Sequence, residues 1–151
     1  MKKEPSGGEV DLIIPMLPDI EVAATKTAVA IAEYMEFNAE KIDELKLALI
    51  EACINAFEHS KSKDKKLYIK FVMQGNELTV IIKDNGKGFD MLTSKDGIGL
   101  ENIKRRAEMF SGKCKFKSSP GNGCELMVEL PLKTVSLKSA EKMRLAANVS
   151  S

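Results

Sequence analysis

Apolar and polar residues follow two different periods along this chain, and the predicted elements change where the period changes. Val10 to Met16 is an apolar run read as a strand, ended by Pro15 and Pro18. Asp19 is placed to cap a helix whose buried face comprises Val22, Ala23, Val29, Ala32 and Met35. Asn38 is read as the N-cap of a second helix, apolar on nearly every side from Leu45 to Ser60, which Lys61 to Lys66 ends in a charged loop. Period two then takes over. Leu67, Ile69, Phe71 and Met73 alternate with more polar positions, Gly75 and Asn76 supply a turn, and Leu78, Val80 and Ile82 alternate again, which predicts a hairpin. A helix from Gly99 to Phe110 and a break at Gly112 lead to a second hairpin, turning at Ser118 to Gly123. Its strands put Lys113, Lys115 and Lys117, and Glu125 and Glu129, on a wet face where opposite charges favour cross-strand pairing. Cys114, Phe116, Cys124, Leu126, Val128 and Leu130 take the other face. One buried sheet face calls for helices on one side only. The predicted class is therefore α/β, a two-layer sandwich with a mixed, largely antiparallel sheet.

The chain's 151 residues suffice for one domain with a real core. That domain is assigned to residues 10–132, after a polar lead-in at 1–9 and before a basic tail at 133–151 in which SLKSAEKMRLAA can form a short helix. With 23 basic and 22 acidic residues the net charge is +1, which argues against a nucleic-acid binder carrying a basic excess. No apolar run reaches the length of a membrane span and MKKEPSGGEV has no apolar signal region, so a cytoplasmic location without membrane contact is expected. Cys53, Cys114 and Cys124 are an odd number without CxxC spacing and are read as core thiols.

The candidate chemistry begins on the second helix. Glu51, Asn55 and His59 recur at steps of four, which a 3.6-residue turn stacks along one stripe. Burying such groups unpartnered costs roughly 2–7 kcal/mol each. The stripe is therefore either the wet edge of a core helix or the wall of a polar, metal-holding or water-lined cavity. A second stretch, KDNGKGFD from Lys83 to Asp90, puts Asp84 where a strand gives way to a glycine loop. A third, GIGLENIKRR, opens a helix with Gly97 and Gly99. Together they describe a nucleotide pocket: Asp84 to accept from an exocyclic amine, Gly86 and Gly88 to let backbone approach a base, helix-start amides for phosphates, and Asn55 as a neutral oxygen for Mg²⁺. Other ATP sites are set aside, since no GxxxxGK[ST], HRD or VAIK is present. Lys104, Arg105 and Arg106 are suited to screening phosphates or docking an acidic partner, or are simply solvated.

EACINAFEH resembles the N box, DNGKGF the first glycine box and GIGL the second glycine box of the histidine-kinase-like ATPases, a superfamily with the Bergerat fold. From about Val10 to Leu132 the order and length are similar to the stand-alone anti-sigma-factor serine/threonine kinases of bacterial partner switching. The resemblance implies ATP and Mg²⁺, with Glu51 catalytic and Asn55 on the metal. It also implies nucleotide contacts from Asn55, His59, Asp84, Gly86, Gly88, Phe89, Gly97, Ile98, Gly99, Leu100 and Cys124. Implied partners are an anti-sigma antagonist protein and a sigma factor, with a homodimer as the assembly. His59, the only histidine, equally suits closing the helix end by bonding to backbone, and Glu51 equally suits pairing with a lysine. With no room before Val10 for a phosphoacceptor hairpin, a sensor histidine kinase in one chain is not expected. The alternatives are an ATP/ADP-binding regulatory module without transfer, or a detached histidine-kinase catalytic domain. Three features depart from the anti-sigma pattern: a short lid segment, Met91 to Asp96; Cys124 where relatives have threonine; and a second glycine box closer to the sensor-kinase version.

Overall fold

In the computed structural model the described residues are 7–59, 62–86, 98–109 and 111–132, with backbone alone at 59 and 98–102. The period-two segments form strands β1 (Gly8–Pro15), β2 (Lys66–Gln74), β3 (Glu77–Asp84), β4 (Lys113–Ser118) and β5 (Cys124–Pro131). The helices are α1 (Glu21–Tyr34), α2 (Ala39–His59) and α3 (Ile98–Met109). β1 starts two residues ahead of the predicted Val10, because Gly8 and Glu9 pair with Met73 and Val72.

The strands form one sheet in the order β1-β2-β3-β5-β4, and every described pairing is antiparallel. β4 runs in the direction of β3, but β5 lies between them, so the parallel component of a mixed sheet is absent among described neighbours. Alternation does the sorting. Leu67, Ile69, Phe71, Leu78, Val80, Ile82, Leu126, Val128 and Leu130 are buried on the helix-facing side. On the open side Lys70 lies 3.7 Å from Glu9 and 4.0 Å from Asp11, and Lys113 and Lys117 stand opposite Glu129 and Glu125.

The start of α2 follows the expected rule, with Asn38 Oδ1 accepting from the Lys41 amide at 2.8 Å. Asp19 does not cap α1. Its φ of 67° lies in the left-handed region, whereas a capping residue takes an extended one, and Ile20 occupies the cap without a side-chain bond. The predicted face of α1 holds in part: Ala32 and Met35 are buried as expected and Ala23 packs against the core, but Ala24, Ala28 and Ile31 are buried beside them, Val29 is half-buried and Val22 is 48% exposed. Small alanines let α1 lie close to α2, where branched valines would hold it off. The helix ends in a Schellman motif, Phe37 N–H to Ala32 O and Glu36 N–H to Glu33 O, both 3.0 Å, with Glu36 at φ 63° in the usual glycine position.

Lys41 is 1% exposed, and its ammonium donates to the carbonyls of Pro131 and Leu132 at the far end of β5 while lying 5.3 Å from the Phe37 ring centre. Burial pushes its pKa down. Of the three cysteines only Cys53 is a fully buried thiol, and burial raises its pKa to about 12; Cys114 and Cys124 are half-exposed because β4 is an edge strand and Cys124 opens β5. No described helix is long and apolar enough to cross a membrane.

Candidate functional site

The end of β3 assembles the first part of the site. Asp84 is 4% exposed, and its Oδ1 accepts the Gly86 amide at 2.8 Å, an Asx-type closure of the glycine loop. Burial pushes its carboxyl above the ordinary value, against the amides of Gly86 and Cys124, which favour the charged form. The sheet register brings Cys124 opposite Asp84. Gly123, at φ 68°, passes so close that a Cβ there would lie 2.1 Å from the Asp84 carbonyl oxygen. The Cys124 sulfur is 3.2 Å from the Ser118 hydroxyl, so a hydroxyl stands beside the thiol at this position. Asp84, Gly86 and Cys124 are thus brought together as expected. A buried carboxylate with acceptor capacity to spare suits a neutral N–H₂ donor such as an exocyclic amine.

Sequence reasoning missed the network that secures this loop. Asp64 accepts from the Ser62 hydroxyl at 2.5 Å, the Tyr68 hydroxyl at 2.6 Å, the Asn85 amide group at 3.1 Å and the Lys66 backbone at 3.2 Å. Ser62 first, then Tyr68, hold its carboxyl well below the usual carboxylate range. Asn85 is thereby tied to the segment that precedes β2. The visible signal was the Asn of DNG itself, but nothing local names its partner.

Glu51 and Asn55 lie one turn apart on α2, and both are half-buried. Glu51 faces Arg106 of α3, with Oε1 3.7 Å from Nη2, while Arg106 Nη1 donates to Glu44 at 2.6 Å. The Glu51 cation is therefore an arginine where a lysine was considered. Arg106 is drawn in from the solvated face, whereas Lys104 and Arg105 remain exposed. The paired carboxylates raise the Arg106 pKa, Glu44 most. Glu51 Oε2 and Arg106 Nε are covered and have no hydrogen-bond partner among the described residues. Asn55 offers one neutral side-chain oxygen. That fits Mg²⁺, which draws its remaining ligands from phosphate and water.

His59 is the last residue of α2, and Ile98, Gly99 and Leu100 form the first turn of α3, where free amides point along the axis. Gly88, Phe89 and Gly97, the lid segment Met91 to Asp96, and both predicted termini apart from Gly7 to Glu9 lie outside the described residues.

Residues 14–128 match the histidine kinase-like ATPase domain. The chain belongs to this family. The family is the one to which the N box and glycine boxes were assigned, and its α/β fold is the one observed. The serine-protein kinase RsbW of Listeria monocytogenes is 29% identical over 103 residues, covering 67% of this chain and 66% of that protein. The signal transduction histidine-protein kinase/phosphatase DegS of Brevibacillus brevis is 35% identical over 85 residues, covering 56% of this chain and 22% of DegS. Both relatives are kinases, and the chain spans about a fifth of DegS and just under two thirds of RsbW. Among solved structures, the histidine kinase domain of the blue-light activated histidine kinase of Erythrobacter litoralis superposes with a TM-score of 0.54 at 19% identity, covering 79% of this chain and 62% of that one. That likeness concerns the fold alone.

Proposed function

We propose that the chain is a Mg·ATP-dependent serine/threonine protein kinase of the anti-sigma type, which phosphorylates an antagonist protein, holds a sigma factor and acts as a homodimer. The observation that carries this reading is the alignment with RsbW, which takes in two thirds of this chain and 66% of that kinase. In this scheme Asp84 accepts a hydrogen bond from the adenine amine, with Gly86, Gly88, Phe89 and Cys124 around the base. The amides from Gly97 to Leu100 face the phosphates, and His59 closes the N box. Asn55 is the group that would hold Mg²⁺, whose contribution is to neutralise charge on the phosphate oxygens. Glu51 takes the proton of the acceptor hydroxyl as its oxygen bonds to the γ-phosphorus. The bond from that phosphorus to the bridging oxygen breaks, and ADP leaves with the electron pair. Little covalent work falls to the protein beyond this proton and the alignment of the two oxygens.

The test mixes the full chain with Mg·[γ-³²P]ATP and a candidate antagonist. Acid-stable label on serine or threonine is expected, lost in Glu51→Ala and Asn55→Ala. Asp84→Asn is expected to abolish stabilisation by nucleotide, which for a bound state at a hundred times Kd is about 2.7 kcal/mol. Transfer at full rate in Glu51→Ala removes the scheme, and stabilisation without label points to a nucleotide-dependent binding module instead. The 35% identity to DegS favours a second reading, a histidine-kinase catalytic domain serving a histidine on another chain. Its product would be acid-labile.

A further inference from the structure

Glu51 sits in a place that a carboxylate does not hold unaided. One oxygen, Oε2, is covered and accepts no hydrogen bond among the described residues, a costly condition for a charged acceptor. The compensation is electrostatic and, among the described residues, comes from Arg106. Arg106 reaches Oε1 at 3.7 Å, too long for a hydrogen bond but within ion-pair range in a half-buried setting. Arg106 is itself fixed, because Glu44, two turns before Glu51 on the same face of α2, takes Nη1 at 2.6 Å. The guanidinium cannot follow Glu51 if it swings. Its Nε is a second covered group without a partner. Arg106 and Glu44 border a small pocket whose other lining residues are Lys41, Leu45, Ala48, Ala107, Val128 and Leu130, so apolar side chains lie beside the guanidinium.

We infer that Arg106 is a positioning residue: anchored on Glu44, it holds the Glu51 carboxylate in the orientation from which it serves the acceptor hydroxyl. The inference rests on the catalytic role proposed for Glu51. It explains why a cation that looks solvated in KRR is turned inward, and it links the acid on α2 to α3, the helix that the second glycine box opens. Without Arg106, Glu51 would be a partly covered charge with no counter-ion among the described residues and would turn toward water. The proton acceptor would then be present but misplaced.

The experiment measures ADP release from Mg·ATP by the full chain, with water as the only acceptor, for wild type, R106A, R106K, E51Q and the double variant E51Q/R106A. Melting with and without ADP is followed in parallel. R106A is expected to lower kcat tenfold to a hundredfold, the range for a misplaced reacting group. Its KM for ATP and its stabilisation by ADP should stay near wild type. R106K, which supplies a point charge without the fork that spans Glu44 and Glu51, should recover part of the rate. The decisive comparison is the cycle: E51Q/R106A should be no slower than E51Q alone, because the uncharged amide of E51Q leaves the arginine no carboxylate to hold. Losses that multiply, or a fall in ADP stabilisation matching the fall in rate, would make Arg106 a structural staple and overturn the inference. If R106A does not fold, R106K and E51Q/R106K give the same cycle. Full turnover in E51Q, or none in wild type, would instead remove the catalytic reading of Glu51 and this inference with it.

Discussion

Two glycines in one turn separate backbone strain from contact with the site. Gly121 and Gly123 both have positive φ, 83° and 68°, but a Cβ on Gly121 meets nothing within 4 Å. On Gly123 it would lie 2.1 Å from the Asp84 carbonyl oxygen, 3.1 Å from its carbon and 3.2 Å from the Asn85 Cα. Alanine at either position adopts a left-handed conformation, costing about 1–2 kcal/mol. Reduced freedom of the unfolded chain returns about 0.4–1 kcal/mol in both. Gly121→Ala should therefore lose no more than about 1.5 kcal/mol. Gly123→Ala carries a further term, because the carbonyl must retreat by about 1 Å to reach even the 3.0 Å limit of real Cβ contacts. Overpacking of that kind costs about 1–3 kcal/mol. At about 2–4 °C per kcal/mol for a domain of this size, Gly123→Ala should melt roughly 2–12 °C below Gly121→Ala. The displaced carbonyl belongs to Asp84, so Gly123→Ala should also weaken stabilisation by ADP while Gly121→Ala keeps it. The assay is a thermal melt of each variant with and without ADP. Equal melting points together with equal responses to ADP would refute the idea that this turn is built around Asp84.

Removing the cap of α2 with Asn38→Ala should lower unfolding free energy by about 1 kcal/mol, read by urea titration, with no change in ADP response. A null effect would mean that the Lys41 amide is satisfied otherwise. Asp64 gives a pH prediction of definite sign. Its folded pKa is depressed relative to about 3.9 in the unfolded chain, so its contribution is present above that pH and is lost as the pH falls through and below it. Melting points of Asp64→Asn should fall less steeply than wild type on acidification below about pH 4. Parallel acid limbs would show that the Ser62, Tyr68 and Asn85 bonds do not favour the ionised form.

Local rules made most of the framework legible. Alternation placed the strands on both sides of the Gly75-Asn76 turn, and Asn38 announced α2. The lysine and glutamate rows of β4 and β5 paired as read, because each rule acts over a few residues and nothing tertiary opposed it. Asp19 shows the limit. An aspartate ahead of a helix suggests a cap, yet the chain turning out of β1 imposes a left-handed φ that removes the carboxylate from the helix amides. On α1, Ala32 and Met35 were read as buried, but Ala24 and Ala28 were missed in favour of Val22, because alanines carry a weak hydrophobic signal and matter through how closely they let helices approach. Within the site, Asp84 was legible from its position between a strand and a glycine loop. The partners of Glu51 and Asn85 were not. Arg106 and Asp64 meet them through the packing of α3 on α2 and the approach of the pre-β2 segment, and no spacing encodes those encounters.

Strand β5 runs the length of the molecule between two unlike places. Cys124 at its start stands opposite Asp84, and the carbonyl of Pro131 at its finish is held by the ammonium of Lys41, about 24 Å away at the rise of an extended strand. A change made at Leu132 is therefore felt first beside the opening turn of α2, at the opposite end of the strand from Asp84.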